Sequence, residues 1–386
     1  MHPLKPFIYF IVILLISAGC KSKDKRHPQA PGTTLQNENI TLNPIFIKGQ
    51  NGYACFRIPA IVVTHDGSIL AFSEARKNSC SDTGDIDLVM RKSTDNGTSW
   101  GEIKVIWDDG ENVCGNPAPV IDAETGRIHL LSTWNLGEDH ESEIIEGTSK
   151  GTREIVHLIS NDDGNTWTTP RNITKSVKLP NWTWYATGPV HGIQLKNETF
   201  KGRLVIPCDF IESQSKKMYS HIIYSDDNGQ TWQLGGIAPN DKVNESTVAE
   251  LENGDLLLNM RNYNRDSIQG RQIAFSSDGG LTWKDQYIEE NLPEPVCQGA
   301  LLGVERNDKQ VLLFSNPSNN ESRTNMTVTL SRDQGKSWNE KISIYKEHAA
   351  YSDLAELKNG AIAVVFEAGI ENAYEGIFIK TITLED

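Results

Sequence analysis

The sequence predicts an all-β protein, a six-bladed β-propeller, on three observations. The first is an eight-residue pattern, Ser-x-Asp-x-Gly-x-Thr/Ser-Trp, at residues 93–100 (STDNGTSW), 160–167 (SNDDGNTW), 225–232 (SDDNGQTW) and 331–338 (SRDQGKSW). A fifth copy, at 276–283 (SSDGGLTW), keeps the Asp in third place and the Gly in fifth. The second is that a short apolar or alternating run precedes every copy, such as DLVMR at 87–91 and MTVTL at 326–330, and these read as strands. The third is that no stretch of comparable length shows helical period. The copies start 67, 65, 51 and 55 residues apart, the spacing of a repeated four-stranded unit. Residues 40–386 then divide into six units of about 58 residues each.

Each part of the pattern has a physical task. Ser and Asp hydrogen-bond the turn backbone, and Gly supplies a positive φ without steric cost. Trp packs its ring beside the hairpin that the turn closes. On this reading the repeats are folding devices, and their Asp residues are not catalytic.

The unit boundaries leave the first 39 residues outside the fold. Residues 7–18 (FIYFIVILLISA) form an apolar run after Lys5, too short for a bilayer span of roughly 20 residues but right for the core of a signal peptide. Gly19-Cys20 follows at once and resembles a bacterial lipobox, which would make Cys20 the lipidated first residue of an exported lipoprotein, periplasmic or at the cell surface. Ser17 departs from the Leu-like residue usual there. Residues 21–39 are Lys, Ser, Asp, Pro, Gln, Thr and Gly with almost nothing to bury, a flexible linker.

Composition narrows the partners. Nine Trp, eleven Phe and ten Tyr can fill a core, so the bulk of the chain is not disordered. A net charge of −14 argues against nucleic acid and, at first sight, against any anionic ligand. The six Cys match no zinc pattern and the nine His are scattered, so neither metal nor cofactor is implied. If Cys20 carries lipid, five Cys remain, an odd number whose pairing the sequence does not give.

The octapeptides resemble the Asp boxes of the sialidase family, and residues outside the boxes extend that resemblance. Phe-Arg-Ile-Pro at 56–59 looks like the family's Arg-Ile-Pro signature, and Arg261 and Arg323 stand where the family completes an arginine triad. Planar, always-charged guanidiniums can clamp a carboxylate in bidentate fashion, and a sialic acid carries one on its anomeric carbon. The resemblance makes Glu367 the brace of the first arginine and places Arg76 near the sugar. It makes Tyr351 the nucleophile, a neutral phenol that can approach a carbon already bearing negative charge, as in the sialidase exception among glycosidases. A phenol of pKa ~10 needs a base; Glu245, 16 residues before Arg261, fits the spacing, with Glu250 as competitor. For the general acid the resemblance favours Asp82, with Asp85 second and Asp87 assigned to a strand. An apolar pocket for the N-acetyl group would draw on Trp134, or else on Trp182 or Trp184.

Together these residues imply an exo-α-sialidase that hydrolyses terminal sialic acids from sialylated glycans with retention, touching membrane only through lipid at Cys20. A trans-sialidase, an anhydro-forming enzyme and a non-catalytic sialoglycan-binding propeller are the rivals. A binder would need the arginines but not Tyr351, Glu245 and Asp82 as well.

Overall fold

A computed structural model of the chain describes residues 1, 36–37, 40–265 and 268–384. The apolar run, Cys20 and most of the linker lie outside the described residues; within the linker, Gln36–Asn37 pairs with Ile40–Thr41.

From Asn43 the described chain forms six four-stranded antiparallel meanders. The first comprises Cys55–Val63, Ile69–Arg76, Ile86–Ser93 and Lys104–Trp107. The second comprises Val113–Ile121, Ile128–Asn135, Glu154–Ser160 and Arg171–Asn172. The third takes Trp182–Thr187, Leu204–Glu212, Met218–Ser225 and Gln233–Ile237, and the fourth Val243–Glu250, Leu256–Asn262, Arg271–Ser276 and Lys284–Glu289. The long strand Glu340–Glu356 closes the fifth meander, after Ala300–Arg306, Lys309–Pro317 and Thr324–Ser331, and opens the sixth. Ile362–Gly369 and Gly376–Ile382 continue the sixth, and the N-terminal strand Asn43–Ile47 completes it. Two short helices, Glu141–Glu146 and Thr174–Val177, depart from the all-strand expectation. Six and four residues are too few to imprint a helical period on a sequence.

Strands that bury both faces read as continuous apolar runs, and this is what LLLNM at 256–260 shows. Side chains alternate across a strand: Leu256, Leu258 and Met260 pack with third-sheet residues such as Val205 and Ile222. Leu257 points the other way, into a cluster with Leu301, Leu312 and Phe314 of the fifth sheet. Every pair of consecutive sheets shares such a cluster, and a further one joins the sixth sheet to the first through Phe46, Ile377, Ile61 and Ala71. Each fully buried Leu, Ile or Phe contributes roughly 1.5–3 kcal/mol.

The five octapeptides close the third-to-fourth-strand turns of sheets one to five with one hydrogen-bond scheme. In the first, Ser93 Oγ donates to Asp95 Oδ1 at 2.8 Å and accepts from Gly97 N at 2.9 Å. Asp95 also accepts from Ser99 N at 2.9 Å and Ser99 Oγ at 2.5 Å. The same contacts recur around Asp162, Asp227, Asp278 and Asp333. Register places these turns at the end of each sheet away from Arg57, since Ser93 pairs with Ile69 and Ile86 with Arg76.

Candidate active site

Five of the six sheets carry a bulge in their first strand. Between Arg57↔Glu74 and Ala60↔Phe72, Ile58 and Pro59 together oppose Ser73. By the same count Asn116 and Pro117 oppose Ser132, and Thr183 and Trp184 oppose Ile211. Asn244 and Glu245 oppose Arg261, and Ala350 and Tyr351 oppose Glu367. A bulge bends its strand and re-aims a side chain. Here every bulge delivers a residue to one cavity, of about 220 Å³, lined by Ile58, Asn116, Trp184, Glu245 and Tyr351. Ile58 adopts φ +62°, a costly conformation for a β-branched residue.

Glu367 organises one wall. Fully buried, it accepts from Arg57 Nε at 2.8 Å and Arg57 Nη2 at 3.3 Å, and from the backbone of Ile58 at 2.8 Å and Tyr351 at 3.2 Å. One carboxylate thus fixes the guanidinium plane and the Tyr351 backbone together. Tyr374 adds to this wall: its ring lies 4.1 Å from the Arg57 guanidinium carbon, and its hydroxyl accepts from Arg323 Nη1 at 2.9 Å. Three guanidiniums surround Tyr351, with Arg57 5.3 Å and Arg323 5.7 Å from its ring and Arg261 Nη1 3.2 Å from its hydroxyl.

The Tyr351 hydroxyl donates to Glu245 Oε1 at 2.5 Å, and Glu245 Oε2 accepts from Arg261 Nη1 at 2.6 Å. Burial, reinforced by Glu245, pushes the phenol well above its ordinary value, and Arg261 and Arg323 only partly oppose this. The resting phenol is therefore protonated, with its base already in contact. Glu250 sits at the far end of the same strand and accepts from the backbone of Lys196 and Asn197 at 2.7 and 2.9 Å. It does not reach Tyr351.

Asp82 stands at the cavity rim with its side chain 64% exposed, 2.7 Å from Arg76 Nη2 and 3.9 Å from Arg57 Nη1. Burial acts to raise its pKa, but Arg76 and Arg57 more than offset that and hold the carboxyl below the usual range. Its loop is tied to the Arg57 strand by a disulfide between Cys55 and Cys80. Cys114, Cys208 and Cys297 are free and buried. Asp85 and Asp87 turn away to Lys77, at 3.0 and 3.3 Å.

Trp134 does not line the cavity, contrary to expectation. Strand alternation puts it on the same face as Ile128 and Leu130, against the first sheet, with its indole donating to Asp109 at 2.7 Å. Trp182 is buried and stacks on Phe210 at 3.5 Å. Trp184 is the tryptophan at the site, 4.0 Å from the Arg153 guanidinium carbon.

Sequence reasoning missed Arg153, Asp209, Glu141, Tyr263 and Tyr374, all of which line the cavity. Arg153 donates to Thr133 Oγ1 at 3.0 Å and to Asn116 Oδ1. Only the run ENAY after FEAG at 366–369 held a hint, an aromatic close behind the brace. Among the described residues no group of three or more His, Cys, Asp or Glu is placed to hold a metal ion.

The BNR repeat-like domain family matches residues 67–364. Over 384 residues the chain is 30% identical to a sialidase of Clostridium perfringens, covering 92% of this chain and 95% of that one. The chain belongs to the sialidase family. It is also 31% identical to a sialidase of Bacteroides fragilis over 86% of its own length, and spans 64% of that longer protein. Among solved structures, the Hadza microbial sialidase Hz136 superposes with a TM-score of 0.79 at 30% identity, covering 88% of this chain and 68% of that one.

Proposed function

We propose that this chain is an exo-α-sialidase that releases terminal α-linked sialic acid from sialylated glycans with retention. The observation that carries the reading is the 2.5 Å contact between the Tyr351 hydroxyl and Glu245 inside a ring of three arginines. Arg57, Arg261 and Arg323 hold the substrate carboxylate and so set the anomeric carbon against the phenol. A phenol raised by burial makes little free phenolate, so its proton passes to Glu245 as Tyr351 Oη attacks. The bond from the anomeric carbon to the glycan oxygen breaks as Asp82 gives that oxygen a proton. Asp82 then takes a proton from water, which attacks the anomeric carbon, and Tyr351 departs and recovers its proton from Glu245. Two inversions give net retention.

The scaffold on this proposal is a closed six-bladed propeller. Its support is that consecutive sheets meet in order through their first strands, or between the third and fourth sheets through Leu204–Glu212 and Val243–Glu250, with Cys55–Val63 beside both Val113–Ile121 and the long strand Glu340–Glu356. Export, with lipid on Cys20, is part of the same proposal and rests on the apolar run and the Gly19-Cys20 pair.

The test is hydrolysis of a fluorogenic α-sialoside and of sialyllactose, with the released sugar followed by NMR. Wild type is expected to release free sialic acid, α-anomer first, and Tyr351→Phe to lose at least about 10³-fold in kcat. An inactive wild type on every linkage would make this a glycan-binding protein, and an anhydro or transferred product would replace hydrolysis.

A further inference from the structure

Asp82 is carried on a loop that is pinned only at its base. Between the strands Ile69–Arg76 and Ile86–Ser93, Lys77 N donates to Asp85 O at 3.1 Å and Gly84 N to Gly137 O at 2.8 Å. Above that base residues 78–82 are exposed, and among the described residues no backbone–backbone hydrogen bond involves residues 78–83. The tip is held instead by guanidiniums and by one covalent bond. Arg76 Nη1 donates to the Cys80 carbonyl at 2.6 Å, and Arg76 Nη2 lies 2.7 Å from Asp82 Oδ1. The Cys80 sulfur is bonded to that of Cys55, which is fully buried and sits opposite Arg76 in the sheet register. Each half of the bridge stands two residues from a residue of the site, Cys55 from Arg57 and Cys80 from Asp82.

We propose that the Cys55–Cys80 bridge is a positioning device for acid catalysis, holding the Asp82 loop in place when Asp82 is protonated. The assignment rests on the reading of Asp82 as the general acid and adds to it the element that keeps the acid over the leaving oxygen. Protonation is what makes the bridge necessary. An exposed ion pair holds a side chain weakly in any case, and the form of Asp82 that can donate a proton has lost the charge that draws it to Arg76. The guanidinium therefore grips the loop least at the moment of transfer, whereas a disulfide holds equally in both protonation states. Carboxylate binding has no such need. Arg57 is fixed by Glu367 at 2.8 and 3.3 Å, and Arg76 by Glu74 at 2.6 and 3.1 Å, whether or not the bridge is closed. Opening the bridge thus leaves the arginines in place and releases the acid alone.

The experiment measures kcat/KM on sialyllactose, whose leaving oxygen needs a proton, and on an aryl α-sialoside, whose phenolate does not. The bridge is opened in the folded wild type with a phosphine reductant, and is removed in the double variant Cys55→Ala/Cys80→Ser. Both are expected to lose about tenfold or more on sialyllactose, since a misplacement of about 1 Å costs up to about 10²-fold, and to stay within about twofold of the oxidised enzyme on the aryl sialoside. The double variant should not respond to reductant. In Asp82→Ala the reductant should change either rate by less than about twofold, because a device that acts through Asp82 has nothing left to position. A purely structural role would lower both substrates equally, and that result overturns the assignment, whether it comes from reduction or from the double variant. So does an unchanged rate on sialyllactose, or a further loss in Asp82→Ala. If Asp82→Ala spares the aryl sialoside and bridge opening does not, the bridge assignment alone fails; if Asp82→Ala lowers both substrates equally, the acid reading fails and takes this assignment with it.

Discussion

At the scale of single residues, Asp82 has to reconcile two demands. A general acid must carry a proton, yet Arg76 at 2.7 Å and Arg57 at 3.9 Å hold this carboxyl below its ordinary range against the effect of burial. Substrate binding supplies the correction: a carboxylate on Arg57 cancels part of the positive field that Asp82 feels, and its pKa climbs. The protonated form is active, so the falling limb of the pH profile is expected at higher pH in kcat than in kcat/KM. Asp82→Ala is expected to lose about 10²–10⁴-fold in kcat/KM on sialyllactose, whose sugar alkoxide cannot leave unprotonated. On an aryl sialoside, whose phenolate leaves readily, the same variant should lose about tenfold or less in kcat/KM, which ends at the first bond cleavage and so excludes the later water step; equal losses on both would remove Asp82 from the acid role. The residues read from the sequence share a trait, that each stands in a recognisable local string. Arg57 is followed by Ile-Pro, and Glu367 follows the apolar run IAVVF at 362–366. Asp209 has no such flag: within LVIPCDFIE at 204–212 it looks like any polar letter in an apolar run. Its place at the cavity comes from the alternation and the neighbouring sheet, which no local string contains.

At the scale of elements, the octapeptides were legible as turns but not as joints. Their glycines do more than supply a positive φ. A Cβ on Gly97 would meet Ile379 of the sixth sheet at 2.8 Å, and one on Gly164 would meet Leu70 of the first at 2.8 Å. Gly280 faces Ile222 of the third sheet at 2.5 Å, and Gly335 faces Leu257 of the fourth at 2.5 Å. Each turn thus lays its backbone on the core of the preceding sheet. Gly360 provides a control, with φ +80° beside the +79° of Gly335 but nothing within 4 Å of its Cβ position. Alanine at either site bears the left-handed backbone cost of roughly 1–2 kcal/mol, and only Gly335→Ala must also displace Leu257. Urea unfolding should therefore find Gly335→Ala less stable than Gly360→Ala by about 1–3 kcal/mol, with kcat/KM unchanged in both. Equal stabilities would mean that the turn glycine serves φ alone. The bulges were not legible at all. An extra residue in a strand leaves composition untouched and shifts alternation by one, which a turn or an edge would also do. Yet the bulges bring Glu245 opposite Arg261 and Tyr351 opposite Glu367, so the element that aims the chemistry is the one the sequence hides.

At the scale of the whole molecule, the net charge of −14 describes the surface and not the site. The cavity wall carries five Arg and five acids, but Glu74 is taken by Arg76, Glu245 by Arg261, and Asp209 holds its proton. Even with Glu367 paired to Arg57, an incoming carboxylate meets three guanidiniums gathered around Tyr351. The sheets themselves are joined by seams of buried apolar side chains, and the seam between the second and third contains an exception. His129 Nδ1 and His157 Nε2 lie 2.9 Å apart, packed against Trp232 from the third octapeptide. His221 is buried across the same seam beside Trp182 and Phe210. Burial lowers these imidazoles to about 4, about 3 and about 3 respectively. A folded value below the unfolded ~6.5 means that the unfolded chain takes up protons first as pH falls. Stability is thus unaffected above pH ~6.5 and declines below it, by up to about 1.4 kcal/mol per pH unit for each imidazole until the folded group itself titrates. Asp209 runs the other way over part of this range, since its raised folded value lets the native state keep a proton that the unfolded chain has lost. A difference between variants isolates the seam from that opposing slope. His221→Gln removes one imidazole, and the loss of unfolding free energy from pH 7 to pH 5 should shrink by about 2 kcal/mol relative to wild type. Urea titrations at the two pH values measure this directly, and an unchanged loss would remove His221 from the acid sensitivity of the fold.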